Sequence, residues 1–272
     1  MSTTTVCFIN QKGGCGKSSS CYHLGGALAE RGLKTLLVDA DPQGSLSQAF
    51  FGSAAVESLA AGETLAAVFD PNAILTHPSR LAVATGFDRL SMIRANQSLA
   101  SHNRPEPERE GLTQFLLRDA LGDILGYDLI LIDSPPNLYL ASWNAMLAAD
   151  HVVIPVPPED FGAQGLRVVH QAIELDARLN PRLSLLGHLV TRFDGRLAVH
   201  RAYEQKLRGL YRETVFEAVV PEASAFKVAL ACRTPVTAYS PASKAARSMI
   251  QVGDELLARI SLAGKASIRS VG

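Results

Sequence analysis

Close to its amino terminus the chain reads Val6-Cys-Phe-Ile-Asn-Gln-Lys-Gly-Gly-Cys-Gly-Lys-Ser-Ser19. A short apolar run, a glycine-rich turn and the start of a helical pattern follow one another, which is the context that a phosphate-binding loop (P-loop) requires. Glycines at 13, 14 and 16 let backbone N–H groups turn inward around phosphate oxygens, and the following helix adds its dipole and unsatisfied amides. We therefore expect Lys17 to reach the β- and γ-phosphates of a nucleotide and the Ser18 hydroxyl to bind Mg2+.

Two acidic motifs stand directly after predicted strands. The first reads Asp39-Ala-Asp-Pro-Gln-Gly44, and the second reads Leu129-Ile-Leu-Ile-Asp133, an aliphatic run ending in aspartate that Ser134-Pro-Pro136 follows. The carboxyl ends of parallel strands meet at one edge of a sheet, where the P-loop also begins. These carboxylates are therefore predicted to organise Mg2+, its water ligands and the attacking water.

Elsewhere, short aliphatic or β-branched runs alternate with longer helical patterns. The predicted strands are residues 6–9, 35–38, 81–85, 90–93, 129–132, 151–156, 185–190 and 214–219. Several are apolar throughout, which indicates strands covered on both faces and hence a mostly parallel sheet. Predicted helices include 18–31, 113–121 and 165–179. The order predicts one doubly wound α/β domain over residues 1–272.

The rest of the sequence predicts few other features. Residues 98–111 contain two prolines among charges and are predicted to form a surface loop. The first strand begins so early that we expect no helix-turn-helix module before it.

Composition favours a cytoplasmic protein. The 272 residues, of which 47% are hydrophobic, are enough for one large domain with a buried core. No apolar run approaches the roughly 18 to 20 residues that cross a bilayer, and the amino terminus lacks the pattern of a signal peptide. The four cysteines form no CxxC pair and show no metal-ligand spacing, so we expect free thiols in a reducing compartment.

Charge is distributed unevenly along a chain whose formal net charge is zero. Residues 1–180 hold 12 Lys and Arg against 19 Asp and Glu, whereas residues 181–272 hold 14 against 7. The basic carboxyl-terminal third is consistent with a footprint for a phosphate backbone. It is equally consistent with a solvated helical surface.

The loop departs from the ordinary pattern G-x-x-x-x-G-K-[ST], which begins with glycine, and reads Lys12-Gly-Gly-Cys-Gly-Lys-Ser18. In this it resembles the deviant Walker A ATPases, whose extra lysine reaches the phosphates of a nucleotide in the facing subunit. A second cation beside the transferring phosphoryl group is electrostatically sensible, as with an arginine finger.

Further strings extend the resemblance to the ParA family of partition ATPases, within the larger group that contains MinD. The similarity runs from about residue 4 to residue 249. It is carried by Asp39-Ala-Asp-Pro-Gln-Gly-Ser45, Tyr127-Asp-Leu-Ile-Leu-Ile-Asp-Ser-Pro-Pro136, Ala148-Ala-Asp-His-Val-Val-Ile-Pro-Val156 and Leu189-Val-Thr-Arg-Phe-Asp-Gly-Arg196. The Asp-Pro-Gln and Asp-Ser-Pro-Pro boxes match ParA better than MinD.

The resemblance implies a slow ATPase that dimerises around two ATP molecules, binds DNA without sequence preference in that state, and positions a plasmid, chromosome or protein assembly. A ParB-like or cargo-bound partner would stimulate hydrolysis and release the dimer from DNA. Lys12, Lys17 and Asp41 match positions tied to hydrolysis, and Ser18, Asp39 and Asp133 match positions near Mg2+. The nucleotide-binding residues implied are Lys12, Gly13, Gly14, Cys15, Gly16, Lys17, Ser18, Ser19 and, near the adenine, Pro221.

One departure concerns DNA. The sequence Val220-Pro-Glu-Ala-Ser-Ala225 stands where many relatives carry two arginines used for DNA. Non-specific binding needs only several phosphate contacts, so other basic residues can replace them. The candidates are Arg192, Arg196, Arg201, Lys227 and Arg233, with Lys206 and Arg208 nearby.

Two other functions remain open. A MinD-like switch that cycles on a membrane requires a carboxyl-terminal amphipathic helix, but residues 260–272 contain few large side chains and an interior glycine, so no membrane is expected. A metabolic P-loop ligase or kinase would need a small-substrate pocket and would have no use for Lys12. The cysteine spacing disfavours an iron–sulfur carrier.

Overall fold

Seven strands form one sheet at the centre of the computed structural model, which describes residues 3–73, 75, 77–158 and 163–270. The strands are β1 (Thr4–Phe8), β2 (Thr35–Asp39), β3 (Ala82–Ala84), β4 (Leu90–Ile93), β5 (Leu129–Asp133), β6 (His151–Val156) and β7 (Ser184–Val190). Their order is β3-β4-β2-β5-β1-β6-β7. Only β3, at one edge, runs antiparallel to its neighbour. The predicted α/β class with a mostly parallel sheet is confirmed.

Helices cover both faces of the sheet. They are α1 (Lys17–Glu30), α2 (Ser45–Phe51), α3 (Ser53–Glu57), α4 (Ala66–Phe69), α5 (Leu116–Gly122), α6 (Leu140–Leu147), α7 (Ala163–Leu179), α8 (Ala198–Tyr211), α9 (Ser224–Ala231), α10 (Val236–Tyr239) and α11 (Lys244–Ser270). Every residue of β2, β5 and β6 is buried, because each of these inner strands has a hydrophobic layer on both sides. Continuous apolar runs are the sequence signature of that arrangement. In the described part of the chain, no helix combines the length and apolar character needed to cross a membrane.

The predicted eighth strand, residues 214–219, is wrong. This segment lies beside β7 but contacts it at separate points: His188 and Val215 form an isolated bridge, and just after the segment the Val220 N–H donates to the Val190 carbonyl oxygen at 2.9 Å. Its close approach depends on Gly187, because a Cβ there would overlap the Thr214 carbonyl oxygen. These contacts do not form a continuous ladder, so the segment is not a strand of the sheet.

The segment 98–111 is more structured than a plain surface loop. It contains one-turn 3₁₀ helices at Gln97–Ser101 and Pro107–Arg109. The Arg104 carbonyl oxygen accepts the N–H of Leu140 at 2.9 Å, and the Asn103 side-chain oxygen accepts that of Ala141 at 3.0 Å. The segment thus supplies acceptors to the first amides of α6, which have no partner inside the helix. The helix predicted at 113–121 is confirmed as a 3₁₀ turn, Gly111–Phe115, that continues into α5.

Candidate functional site

The glycine-rich loop connects β1 to α1 at the carboxyl edge of the sheet, as the sequence predicts. Gly14 and Gly16 have positive φ values of 72° and 92°, a region that glycine enters without steric cost. The Asn10 side chain fixes the start of the loop: its amide donates to the Pro155 carbonyl oxygen at 2.7 Å, and its oxygen accepts the Lys12 N–H at 3.0 Å. The loop is therefore pre-shaped, with helix α1 beginning directly behind it.

The two loop lysines lie in opposite environments. Lys17 is 7% exposed, and its ammonium donates to the carbonyl oxygens of Asn10 at 2.9 Å and Lys12 at 3.4 Å. Lys12 is exposed and lies outside the lining of the adjacent cavity. Among the described residues, no hydrogen bond or ion pair holds the Lys12 ammonium. One lysine thus belongs to the interior of the site and the other projects from it.

A side chain at the end of β7 fixes the loop from the opposite side. The Thr191 hydroxyl donates to the Cys15 carbonyl oxygen at 2.7 Å, and an Arg192 guanidinium nitrogen lies 3.4 Å from the Gly14 carbonyl oxygen. The Cys15 thiol is buried, and burial raises its pKa while the Lys17 ammonium lowers it to a smaller extent. The net direction disfavours the thiolate, so Cys15 is a poor nucleophile in this state.

The carboxylates of the two acidic motifs meet beside the loop. Asp39 and Asp133 are register partners on β2 and β5, and both are fully buried. Asp39 is engaged by its own loop: one oxygen accepts the Asp41 N–H at 3.1 Å, and the other accepts the N–H and hydroxyl of Ser47 at 2.8 and 2.7 Å. Asp39 therefore anchors the loop that carries Asp41, which lines the cavity.

Asp133 fits a cation site better than Asp39 does. Among the described residues, neither oxygen of Asp133 has a hydrogen-bond partner, although the Ser18 hydroxyl is near enough to favour the ionised carboxylate. Burial, and then the Asp39 carboxylate, raise the pKa of Asp133 well above its ordinary value; burial raises that of Asp39 to about 7. Buried carboxylates are normally paired or bind metal. The donor set of Ser18 and Asp133 is the oxygen set that Mg2+ prefers when phosphates and water supply the rest.

A cavity of about 490 Å³ opens beside the loop. This volume falls in the range of roughly 300 to 1,000 Å³ typical of small-molecule sites. The lining includes the predicted residues Gly13, Gly14, Cys15, Gly16, Lys17, Ser18, Ser19, Asp41 and Pro221. It also includes an apolar wall from α2 and α9, formed by Leu46, Ala49, Phe226 and Leu230. The structure thus brings most of the predicted nucleotide site together around one cavity.

An ion-pair network lines the cavity next to the loop. The Glu222 carboxylate accepts from Arg192 at 3.2 Å and from Lys227 at 2.9 Å, and these two cations lower its pKa. Two of the five candidate DNA contacts therefore lie at the mouth of the cavity, paired with an acidic residue.

The other three DNA candidates are dispersed. Arg196 pairs with Asp194 through two contacts of 3.0 and 2.7 Å, and Arg201 donates to the Gly195 carbonyl oxygen at 2.5 Å. Arg196 lies in the turn before α8, and Arg201 lies in the first turn of that helix. The Arg233 guanidinium lies against Gly52. Each of these three arginines therefore contacts a different group in the described chain.

Sequence reasoning missed several residues of the site. Thr191 follows β7 directly, and its position at a strand's carboxyl end was the available signal. Glu222 and Ser47 had no comparable signal, because each also has a partner that is distant in sequence: Arg192 is 30 residues from Glu222, and the Ala95 N–H, which donates to the Ser47 hydroxyl, is 48 residues from Ser47.

Comparison with known proteins gives consistent matches over nearly the whole chain. The family described as AAA domain matches residues 3–185. The chromosome partitioning protein ParA of Myxococcus xanthus is 33% identical over 93% of this chain and 88% of that protein. The chromosome-partitioning ATPase Soj of Thermus thermophilus is 34% identical over 94% of this chain and 96% of that protein. A crystal structure of cobyrinic acid a,c-diamide synthase from Mycobacterium smegmatis, with bound ADP and magnesium, superposes with a TM-score of 0.77 at 27% identity, covering 94% of each chain.

Proposed function

This chain belongs to the family of ParA and Soj chromosome-partitioning ATPases, and from that premise we propose that it is a DNA-tethered positioning ATPase. It is a P-loop ATPase that uses ATP and Mg2+. In the proposed cycle, ATP drives dimerisation and the dimer binds DNA without sequence preference. A ParB-like or cargo-bound adaptor then stimulates hydrolysis and releases the dimer. The protein would be cytoplasmic, and nucleoid-associated in its ATP state.

The observation that carries the proposal is the contrast between the two loop lysines. Lys17 is buried beneath the loop, where it serves the nucleotide of its own subunit. Lys12 is exposed and points outside the cavity, which suits a cation that acts on the nucleotide of a facing subunit. A lysine beside the transferring phosphoryl group supplies the charge that an arginine finger supplies elsewhere. A metabolic ligase has no need of such a residue.

The dimer step is tested with Lys12→Ala. We expect the variant to bind Mg·ADP like the unaltered protein but to stay monomeric with a non-hydrolysable ATP analogue in analytical ultracentrifugation. Lys34→Ala is the matched control, because Lys34 is an exposed lysine just before β2, at the opposite edge of the sheet. An ATP-dependent dimer of normal affinity in Lys12→Ala would remove Lys12 from the interface.

The DNA step is tested by binding to random-sequence duplex DNA with ATP, with ADP and without nucleotide, across a salt series. Binding in the ATP state alone, weakening steeply with salt as phosphate contacts do, supports the proposal. Binding instead to anionic vesicles, with none to DNA, would favour the MinD-like alternative.

Asp41→Ala is expected to slow phosphate release and to prolong the DNA-bound state; release at the normal rate would contradict the role proposed for Asp41.

A further inference from the structure

The segment 213–218, which does not form the expected strand, is held by two side chains of α11. The backbone N–H groups of Glu217 and Ala218 donate to the two carboxylate oxygens of Glu255 at 2.9 and 2.8 Å. From the next turn of the helix, Arg259 donates to the carbonyl oxygens of Glu213 at 3.0 Å and Val215 at 2.8 Å. Donors and acceptors that a neighbouring strand would otherwise satisfy are thus satisfied by side chains.

The Glu255–Arg259 pair is itself rigidly placed. The two side chains form an ion pair at 2.8 Å, and each is 18% exposed. Arg259 also donates to the Leu186 carbonyl oxygen on β7 at 3.1 Å, and its guanidinium lies 4.4 Å from the centroid of the Phe216 ring. A planar guanidinium that bonds three carbonyls and stacks on a ring is poorly replaced by another side chain. The pair therefore fixes the segment against both α11 and the sheet.

The same segment continues directly into the cavity wall. Two residues after Ala218, the N–H of Val220 donates to the Val190 carbonyl oxygen at 2.9 Å, and Val220, Pro221, Glu222 and Ala223 all line the cavity. The glycine-rich loop and Lys17 are the part of the cavity that binds the phosphates of a nucleotide. Its nucleoside must therefore contact the cavity walls that other elements supply. Pro221 and its neighbours form one of those walls.

We propose that Glu255 and Arg259 are positioning residues of the nucleotide site, which set the wall that contacts the nucleoside while leaving the phosphate subsite untouched. The pair contacts backbone that leads into the wall, so it acts through residues 217–223 and not on the nucleotide itself. The inference rests on nucleotide binding in this cavity and not on the dimer, DNA or cargo steps proposed above, so failure of those steps leaves it standing.

The test compares two ligands that share phosphates but differ in the nucleoside. Isothermal titration calorimetry on the full chain would measure Mg·ADP and Mg·tripolyphosphate binding to Arg259→Ala and to the milder Glu255→Gln. We expect Mg·ADP to bind roughly tenfold more weakly, which corresponds to the entropy of ordering one residue of the wall, with tripolyphosphate affinity unchanged. Asp254→Asn is the matched control, because Asp254 is also on α11 but pairs with Arg31, the residue that follows α1; the ratio of its Mg·ADP affinity to its Mg·tripolyphosphate affinity should stay at the original value.

Two results would overturn the inference. Equal weakening of both ligands would mean that the variants destabilise the whole site, and unchanged Mg·ADP affinity would mean that the wall keeps its position without the pair. If Arg259→Ala does not fold, Glu255→Gln is still a sufficient test. Glutamine keeps one acceptor oxygen, and the hydrogen bonds from Arg259 to carbonyl oxygens do not involve residue 255. Hydrogen exchange gives a second measurement: in Glu255→Gln at least one of the amides of Glu217 and Ala218 should lose protection, because glutamine keeps only one of the two acceptor oxygens, and retained protection of both would refute the contact on which the proposal depends.

Discussion

Asp176 on α7 offers the sharpest prediction about stability. Its side chain is completely buried, and among the described residues neither carboxylate oxygen has a hydrogen-bond partner. Burial raises the pKa of Asp176 from 3.8 to about 8. The folded protein must therefore hold this carboxyl protonated at neutral pH, whereas the unfolded chain ionises it freely. Asp176→Asn, which has the same shape and no charge, removes that difference.

The magnitude follows from linkage. Because the folded pKa lies above the unfolded one, the wild-type contribution is fully present below pH 3.8 and is lost as pH rises through about 8. Between those values the loss is about 1.4 kcal/mol per pH unit. Relative to the wild type, Asp176→Asn should therefore gain stability with pH, reaching at most about 4 kcal/mol at pH 7. Below pH 4 the two proteins should differ little, since each then buries one neutral polar group.

The assay uses a natural probe. Trp143 is the sole tryptophan, and it is buried, with its indole N–H bonded to Gln114 at 2.9 Å. Urea unfolding followed by its fluorescence, at pH 5, 6, 7 and 8 without nucleotide, gives the difference in unfolding free energy at each pH. The exposed Asp123→Asn variant controls for removing one carboxylate. A stability difference that does not change across this pH range would refute the argument, because it would mean that Asp176 ionises equally in both states.

Three further outcomes test the geometry of the site. Thr191→Val removes the hydroxyl that bonds the Cys15 carbonyl oxygen; Mg·ADP affinity should fall roughly fivefold, the effect of one hydrogen bond of about 1 kcal/mol, and Thr191→Ser should restore it. Ser47→Ala leaves one Asp39 oxygen with a single donor in place of two and should lower the unfolding free energy by about 1 to 3 kcal/mol, read from the urea midpoint. Gly187→Ala introduces a Cβ into the Thr214 carbonyl oxygen; we expect a loss of more than about 2 kcal/mol, and an unchanged midpoint would show that the segment moves away without cost.

The parts of the fold that the sequence predicts are those whose causes are local. Strand β5 is recognisable from its sequence because it consists of four aliphatic residues and a terminal aspartate. All five are buried, as in a strand that is covered on both faces. The loop before α1 is recognisable because its glycines adopt conformations that other residues avoid. In both cases the residues that reveal the feature are also the residues that form it.

The misses have non-local causes. Residues 214–219 have the composition of a strand, but Glu255 and Arg259, about 40 residues further along the chain, satisfy their backbone groups. No periodicity within the segment records that competition. The two carboxylates predicted to lie near Mg2+ show the same limit: both end aliphatic strands, yet only the structure shows that Ser47 donates to Asp39 while, among the described residues, neither oxygen of Asp133 has a hydrogen-bond partner.

The structure also changes the interpretation of the basic carboxyl-terminal third, because it shows which groups the arginine and lysine side chains contact. Arg259 is committed to carbonyl oxygens and a carboxylate, and Arg192 and Lys227 share Glu222 at the cavity rim. By contrast, the side chain of Arg196 is 89% exposed in its pair with Asp194, and an exposed ion pair contributes little that a phosphate cannot replace. Arg201 is exposed on the adjoining turn of α8 and bonds only a carbonyl in the described chain. If the protein binds DNA, these two arginines are the candidates that can change partners at the lowest cost, so the start of α8 is where phosphate contacts should be sought first.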